Sequence, residues 1–136
     1  MSLVKTVKTT SQSRDQLIKL KRVTGLQNWN VLCRWALCTS LAEKTPPAAA
    51  RIKSEEDGRI VEMDWYTFGG EYADLYMALT KVRCKTDGLA TDDDTVREQF
   101  QRHLDRGIGY LAAEKSLRSI ADLLAHIVPT NESDPD

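Results

Sequence analysis

Apolar residues recur at helical spacing over most of this chain, and extended-chain character is confined to two short stretches. In the first helical stretch, Leu17, Leu20 and Thr24 lie three and four residues apart, with Val23 alongside, a spacing that gathers them on one face. Ser13 followed by Gln16 forms a capping-box pattern that opens this helix. Gly25 stands where a helix ends in a left-handed conformation. Asn30 is placed to cap a second helix. Its face is expected to comprise Val31, Trp35, Cys38 and Ala42, widened by Leu32, Ala36 and Leu41. Pro46-Pro47 and the alanines after them end it. Upstream, residues 3–9 read Leu-Val-Lys-Thr-Val-Lys-Thr, a Val/Thr-rich run suited to a short strand. Such a strand has unpaired N–H and C=O groups on both edges, so pairing with a second copy of the chain would satisfy one of them.

The second half is more helical still. Residues 53–58 are charged and turn-like. Residues 59–68 (Arg-Ile-Val-Glu-Met-Asp-Trp-Tyr-Thr-Phe) favour a short strand or extended segment whose aromatics cap the core. Gly69-Gly70 breaks the chain. Residues 71–85 then predict an amphipathic helix with Tyr72, Leu75, Tyr76, Leu79 and Val82 on its buried face, stopped by Asp87-Gly88. Residues 91–94 form an N-cap with acids in the first turn. The helix that follows carries Val96, Phe100, Leu104, Ile108 and Leu111 on one face, and Gly107 and Gly109 allow close packing on a neighbour. A last short helix is expected over 116–128, with Ile120, Leu123, Leu124 and Ile127 inward, before an acidic, disordered tail at 129–136. The fold class read from this is mainly α: a strand-helix-helix unit over residues 3–44, laid out like a ribbon-helix-helix, then a helical part over 70–128, all in one domain spanning 1–128.

Charge changes the picture. The net charge of −1 hides a gradient. Residues 1–45 hold eight Lys/Arg against two Asp/Glu, a net of +6, and the remainder holds eleven against eighteen, a net of −7. A basic front on an acidic body suits a front that meets an anion. The candidates are Lys5 and Lys8 on the strand, Lys19, Lys21 and Arg22 on the first helix, and Arg34 on the second, with Asn28 and Asn30 as supplementary hydrogen-bonders. Several cations on one surface grip phosphates with a steep salt dependence. The bland alternative is a solvated Lys-rich face.

Other chemistry is thinner. There is no phosphate-loop, dinucleotide or nucleophile-elbow motif and no zinc spacing. Cys33, Cys38 and Cys84 are odd in number and lack a CxxC pair, which reads as reduced, mostly buried thiols without an activating neighbour. Asp92-Asp93-Asp94 reads as a cap before it reads as a metal cluster. His103 with Asp105 and Arg106 is the one acid-base or phosphate candidate, weighed against a packing histidine. His126 looks incidental. No cofactor or metal is expected. The chain lacks an apolar leader and any run of about 18 apolar residues, so a cytoplasmic protein without a membrane span is expected.

Several segments together resemble one family. Arg22-Val-Thr-Gly-Leu26, Asn30-Val-Leu-Cys-Arg34, Ser40-Leu41, Gly70-Glu-Tyr-Ala-Asp-Leu-Tyr76, Ala78-Leu79, Arg83-Cys84 and His103-Leu-Asp-Arg-Gly-Ile108 with Leu111 are similar, in order and spacing, to the DNA sulfur modification protein DndE family. The resemblance covers about residues 3 to 113 and departs at Trp29 and after Ala113. It implies a role in bacterial DNA phosphorothioation, in which sulfur replaces a non-bridging phosphate oxygen. A desulfurase and an adenylating, DndC-like partner would do the sulfur chemistry, and a DndD-like ATPase would handle DNA structure. This chain would be a non-catalytic, homotetrameric subunit that binds duplex DNA, nicked duplex preferentially. Three further readings remain open: a sequence-specific ribbon-helix-helix regulator that places Lys5, Val7 and Thr9 in the major groove, a nuclease or hydrolase using His103 and the acidic run, and a protein-interaction adaptor.

Overall fold

A computed structural model describes residues 4–48, 60–114 and 119–125. The turn expected at 53–58, His126 and the acidic tail lie outside these residues. The chain opens with strand β1 (Thr6–Lys8), then helices α1 (Ser11–Thr24) and α2 (Trp29–Ala42). Strand β2 (Glu62–Asp64) runs directly into a short helix α3 (Trp65–Gly69) and a 3-10 turn over Gly70–Tyr72. Helices α4 (Ala73–Thr86), α5 (Asp93–Ala113) and α6 (Ile120–Ala125) complete the order. The mainly α class and the strand-helix-helix start are as the sequence predicts.

The partner of β1 differs from expectation. β1 pairs antiparallel with β2 of the same chain, in the register Thr6 to Asp64, Val7 to Met63 and Lys8 to Glu62. The ladder extends through Trp65 N–H to the Lys5 carbonyl (2.9 Å) and Thr9 N–H to the Val61 carbonyl (3.0 Å). One of the strand's two edges is therefore satisfied within the chain. The strand expected to run on to Phe68 ends at Asp64. The Asp64 carboxylate accepts from Tyr66 N–H (3.0 Å) and caps α3, and this local bond overrides the β preference of Trp-Tyr-Thr-Phe. Trp65 stacks on Phe68 (centroids 5.3 Å), and both meet Phe100 edge-on. These rings do cap the core.

Caps shift at the front helices. Thr10, not Ser13, caps α1 by accepting from Ser13 N–H (3.0 Å). Ser13 is buried inside the helix. Gly25 ends α1 as predicted, at φ 77°. α2 starts earlier than expected, with Asn28 as its N-cap residue. Asn30 instead donates to the Thr67 carbonyl (3.0 Å), tying α2 to α3.

Two helices turn a different face inward. α2 buries Leu32, Cys33, Ala36, Leu37 and Ser40, while Val31 and Trp35 are half-buried and Cys38 and Ala42 exposed. α4 buries Ala73, Met77, Thr80 and Cys84, leaving Tyr72, Leu75, Leu79 and Val82 outside and Tyr76 half-buried. The face of α5 is as predicted, with Val96, Phe100, Leu104, Ile108 and Leu111 all buried. Of the described residues expected inside α6, only Leu123 is buried; Ile120 and Leu124 are exposed.

α2 and α5 form the central crossing, and one glycine permits it. A Cβ at Gly107 would lie 1.7 Å from the Ala36 carbonyl oxygen and 2.4 Å from its carbon. Those are backbone atoms, so no rotamer change relieves the clash. A Cβ at Gly109, by contrast, meets nothing within 4 Å.

Two substitutions on one helix are therefore expected to act in opposite directions. Gly107→Ala forces α2 and α5 apart and costs about 3 kcal/mol or more. Gly109→Ala removes backbone freedom from the unfolded chain and stabilises by about 0.5–1 kcal/mol. Urea unfolding of both variants measures the contrast. Equal midpoints would show that the crossing does not depend on Gly107.

Candidate nucleic-acid interface

The six cations singled out in the sequence fall in three places. Lys5 and Lys8 lie exposed along β1 and line an open pocket of about 490 Å³ with Thr6, Arg97, Phe100 and Gln101. Asp94 and Glu98 share this pocket, so its charge is mixed. Gln101 Nε2 donates to the Lys8 carbonyl (2.9 Å) and holds the strand against α5. The alternation that folds this edge buries Val7 and Thr9. That removes two of the three side chains a groove-reading strand would have presented, and leaves Lys5, Thr6 and Lys8 outward.

The second group is on α1. Lys19 and Arg22 are exposed on the side away from Leu17, Leu20 and Thr24. Lys19 Nζ donates to the Ala112 carbonyl (2.7 Å), one of the free acceptors at the end of α5, so it also serves the fold. Lys21 places its ammonium over the Trp29 ring, 4.1 Å from the centroid. The aromatic quadrupole attracts it there. Arg34 stands apart on α2, in a groove of about 390 Å³ lined by Val31, Trp35, Cys38 and Tyr76. Among the described residues none of the six forms an ion pair with a carboxylate. The salt bridges Arg83–Asp87, Arg97–Asp94 and Arg102–Glu98 all belong to α4, α5 and the turn between them.

His103 and Asp105 do not converge. His103 is buried, with Nδ1 2.7 Å from the Ser40 hydroxyl. Arg106 Nε donates to that same hydroxyl (2.8 Å), so Ser40 Oγ joins the two side chains. Burial, with the Arg83 and Arg106 guanidiniums nearby, pushes the imidazole down to about 4. Asp105 faces the other way. It accepts from Gln101 Nε2 (3.2 Å) and lies 3.5 Å from Ser13 Oγ, and burial lifts its carboxyl to about 6. Nothing in the residue pattern signals what surrounds this histidine. Arg106 donates to the Ser40 and Thr45 carbonyls (2.9 and 2.8 Å), and Arg83 to the Leu41 and Thr45 carbonyls (2.9 and 2.8 Å). Two guanidiniums thus occupy the acceptors where α2 ends.

The remaining candidates resolve into structural roles. Asp92 accepts from Thr95 N–H (3.1 Å) and Oγ1 (2.6 Å) as the N-cap of α5, and these bonds lower its carboxyl below the usual range. Asp94 pairs with Arg97. Burial, helped by the Asp105 carboxylate, pushes the Cys33 thiol up to about 12, and burial raises Cys38 and Cys84 as well. All three are held as thiols, away from the thiolate form that sulfur transfer requires.

His103 and Asp105 oppose each other in the pH dependence of stability. A neutral His103 favours the fold above about pH 6.5, and that contribution is lost as pH falls toward 4. A protonated Asp105 favours the fold below about pH 3.8, and that contribution is lost as pH rises through 6. Between pH 4 and 6 the two slopes offset. Asp105→Asn should leave a stability that climbs from pH 4 to 6.5 and should exceed wild type above pH 6 by on the order of 1–3 kcal/mol. Denaturant midpoints across this range test it, and parallel wild-type and variant curves would refute it.

Among curated proteins none matches the chain by sequence. Among solved structures, the crystal structure of DndE from Escherichia coli B7A, involved in DNA phosphorothioation modification, superposes with a TM-score of 0.63 at 23% identity. The match covers 82% of this chain and 99% of that one, which shows a shared fold. The sequence profile of DNA sulphur modification protein DndE matches residues 6–119. With most of its length so matched, the chain belongs to the DndE family of DNA sulphur modification proteins.

Proposed function

We propose that this chain is a non-catalytic subunit that holds DNA, duplex and preferably nicked, for the phosphorothioating partners of its family. One observation carries the reading. Among the described residues the six cations have no carboxylate partner, whereas Asp87, Asp92, Asp94 and Glu98 of the second half are taken up by a cap and salt bridges. Of the six, Lys5, Lys8 and Arg22 are exposed and have no described intramolecular role for their side chains, and they are the phosphate contacts we favour. Lys19, Lys21 and Arg34 supply further positive potential from their anchored or half-buried positions. Lys and Arg contacts of this kind fix a duplex without reading its bases. The buried His103–Ser40 pair and the diverging Asp105 support a subunit that leaves chemistry to others, namely a DndC-like adenylating partner and a DndD-like ATPase. The same reading makes the protein a cytoplasmic homotetramer, which would repeat the basic front. Among the described residues no helix is long and apolar enough to cross a membrane.

Fluorescence anisotropy with intact and nicked duplex of one sequence, across a salt series, tests the proposal. Tighter nicked binding and a steep salt slope are expected. Lys5→Gln, Lys8→Gln and Arg22→Gln together should weaken binding at every sequence and flatten the slope by about one unit for each phosphate no longer neutralised. Binding that ignores both salt and these substitutions would overturn it.

A further inference from the structure

α4 is built inside out. Its core-facing residues are small or flexible: Ala73, Met77, Thr80 and Cys84. Its larger aliphatic and aromatic residues face away from the core. Tyr72 is 58% exposed, Leu75 52%, Leu79 41% and Val82 62%. These four residues sit at spacings of three and four, so they form one continuous stripe along the helix. Tyr76 follows Tyr72 by four positions and precedes Leu79 by three. It joins the stripe to the groove of Val31, Trp35 and Cys38 on α2. Together they make one contiguous exposed apolar surface rimmed by charged residues, the kind of patch that marks an interaction site.

The charges beside the stripe identify its occupant. Asp74, Lys81 and Lys85 are exposed along one flank of α4, at spacings that place them in a single row. The row is acidic at the N-terminal end, where Glu71 adds a second carboxylate, and basic at the C-terminal end. An antiparallel copy of the same helix presents its basic end to this acidic end and its acidic end to this basic one. The register that sets Asp74 beside Lys81 of a second copy also brings Leu75 near Val82, so charge and apolar matching select the same alignment. Antiparallel helices further bring opposite dipole ends together.

We infer that α4 is a self-pairing face: two copies of this chain associate through an antiparallel α4–α4 contact centred near Ala78 and Leu79. A two-fold axis there sets the stripe of one copy against the same stripe of the other, with the α2 groove at its margin. The inference rests on the homo-oligomeric part of the proposed function and is independent of DNA binding. It also assigns the assembly to α4 and leaves β1, already paired with β2, outside it.

Sedimentation velocity of the full chain over about 1–100 µM tests the inference. Wild type should be an oligomer. Leu75→Glu with Leu79→Glu should halve the assembly and raise the dissociation constant about 30-fold or more, with an unchanged far-UV spectrum because both side chains are exposed. Asp74→Lys alone and Lys81→Glu alone should each weaken association, and the two reversals combined should restore it, since only an antiparallel self-contact pairs these positions. A monomeric wild type would overturn both the inference and the oligomeric reading. An oligomer indifferent to the Leu variants would overturn the inference alone and place the interface elsewhere. A monomeric wild type whose melting temperature falls in those variants would overturn it too, by showing that the chain's own remaining residues cover the stripe.

Discussion

The fold depends on the closeness of α2 to α5 at Ala36 and Gly107. The absence of a side chain at one position lets the Ala36 carbonyl sit where a Cβ would otherwise be. Close approach at that point sets the depth at which Leu32, Leu37, Leu104 and Ile108 interlock, all of them fully buried. It also brings the end of α2 within reach of α5 one turn away. Ser40 then meets His103 and Arg106, and the free carbonyls at that end find guanidinium donors from both α4 and α5. A crossing wider by the size of one methyl group would leave those acceptors short of their donors and His103 short of its hydroxyl.

This constraint explains where sequence reasoning succeeds. α5 alternates apolar and charged residues cleanly, so its period determines its buried face. Gly25 ends α1 for a purely local reason, a left-handed backbone. α2 is different. Apart from Arg34 it has no charged residue between Trp29 and Ala42, so periodicity has no polar side to contrast with. The small residues Cys33, Ala36 and Ser40 answer to the partner helix rather than to hydrophobicity. On α4 the rule is inverted, because the more apolar side is the one the monomer leaves outside. At residues 65–68, aromatic and β-branched residues suggest extension, and one carboxylate, Asp64, starts a helix instead.

The candidate site is legible in kind more than in detail. Charge counting locates the basic front and every cation in it. It cannot say that Lys19 is committed to the Ala112 carbonyl or Lys21 to the Trp29 ring, since both partners lie on other elements. Nor can it say that Lys5 and Lys8 face Asp94 and Glu98 across a pocket. The two arginines that matter most to the fold, Arg83 and Arg106, draw attention only as neighbours of other motifs. Their acceptors are backbone carbonyls, and these carry no signature in a sequence.

Net charge is a poor guide to such a molecule, because what a phosphate backbone senses is the charge left uncompensated. The second half pairs three of its acids with three of its own cations, which holds those charges in place and leaves its excess of seven acids unchanged. Asp92 is a helix cap, and Asp87, Asp94 and Glu98 are in salt bridges. The six cations of the basic front have no such internal answer among the described residues, so their field extends into solvent. Self-pairing through α4 would sharpen this division. It would neutralise Asp74 against Lys81 and bury the flank where the second half still shows charge of both signs. The surface left to steer an anion would then be the front of each copy, multiplied by the number of copies. On this argument the proposed grip on DNA is a property of the assembly, and the single chain, at a net charge of −1, conceals it.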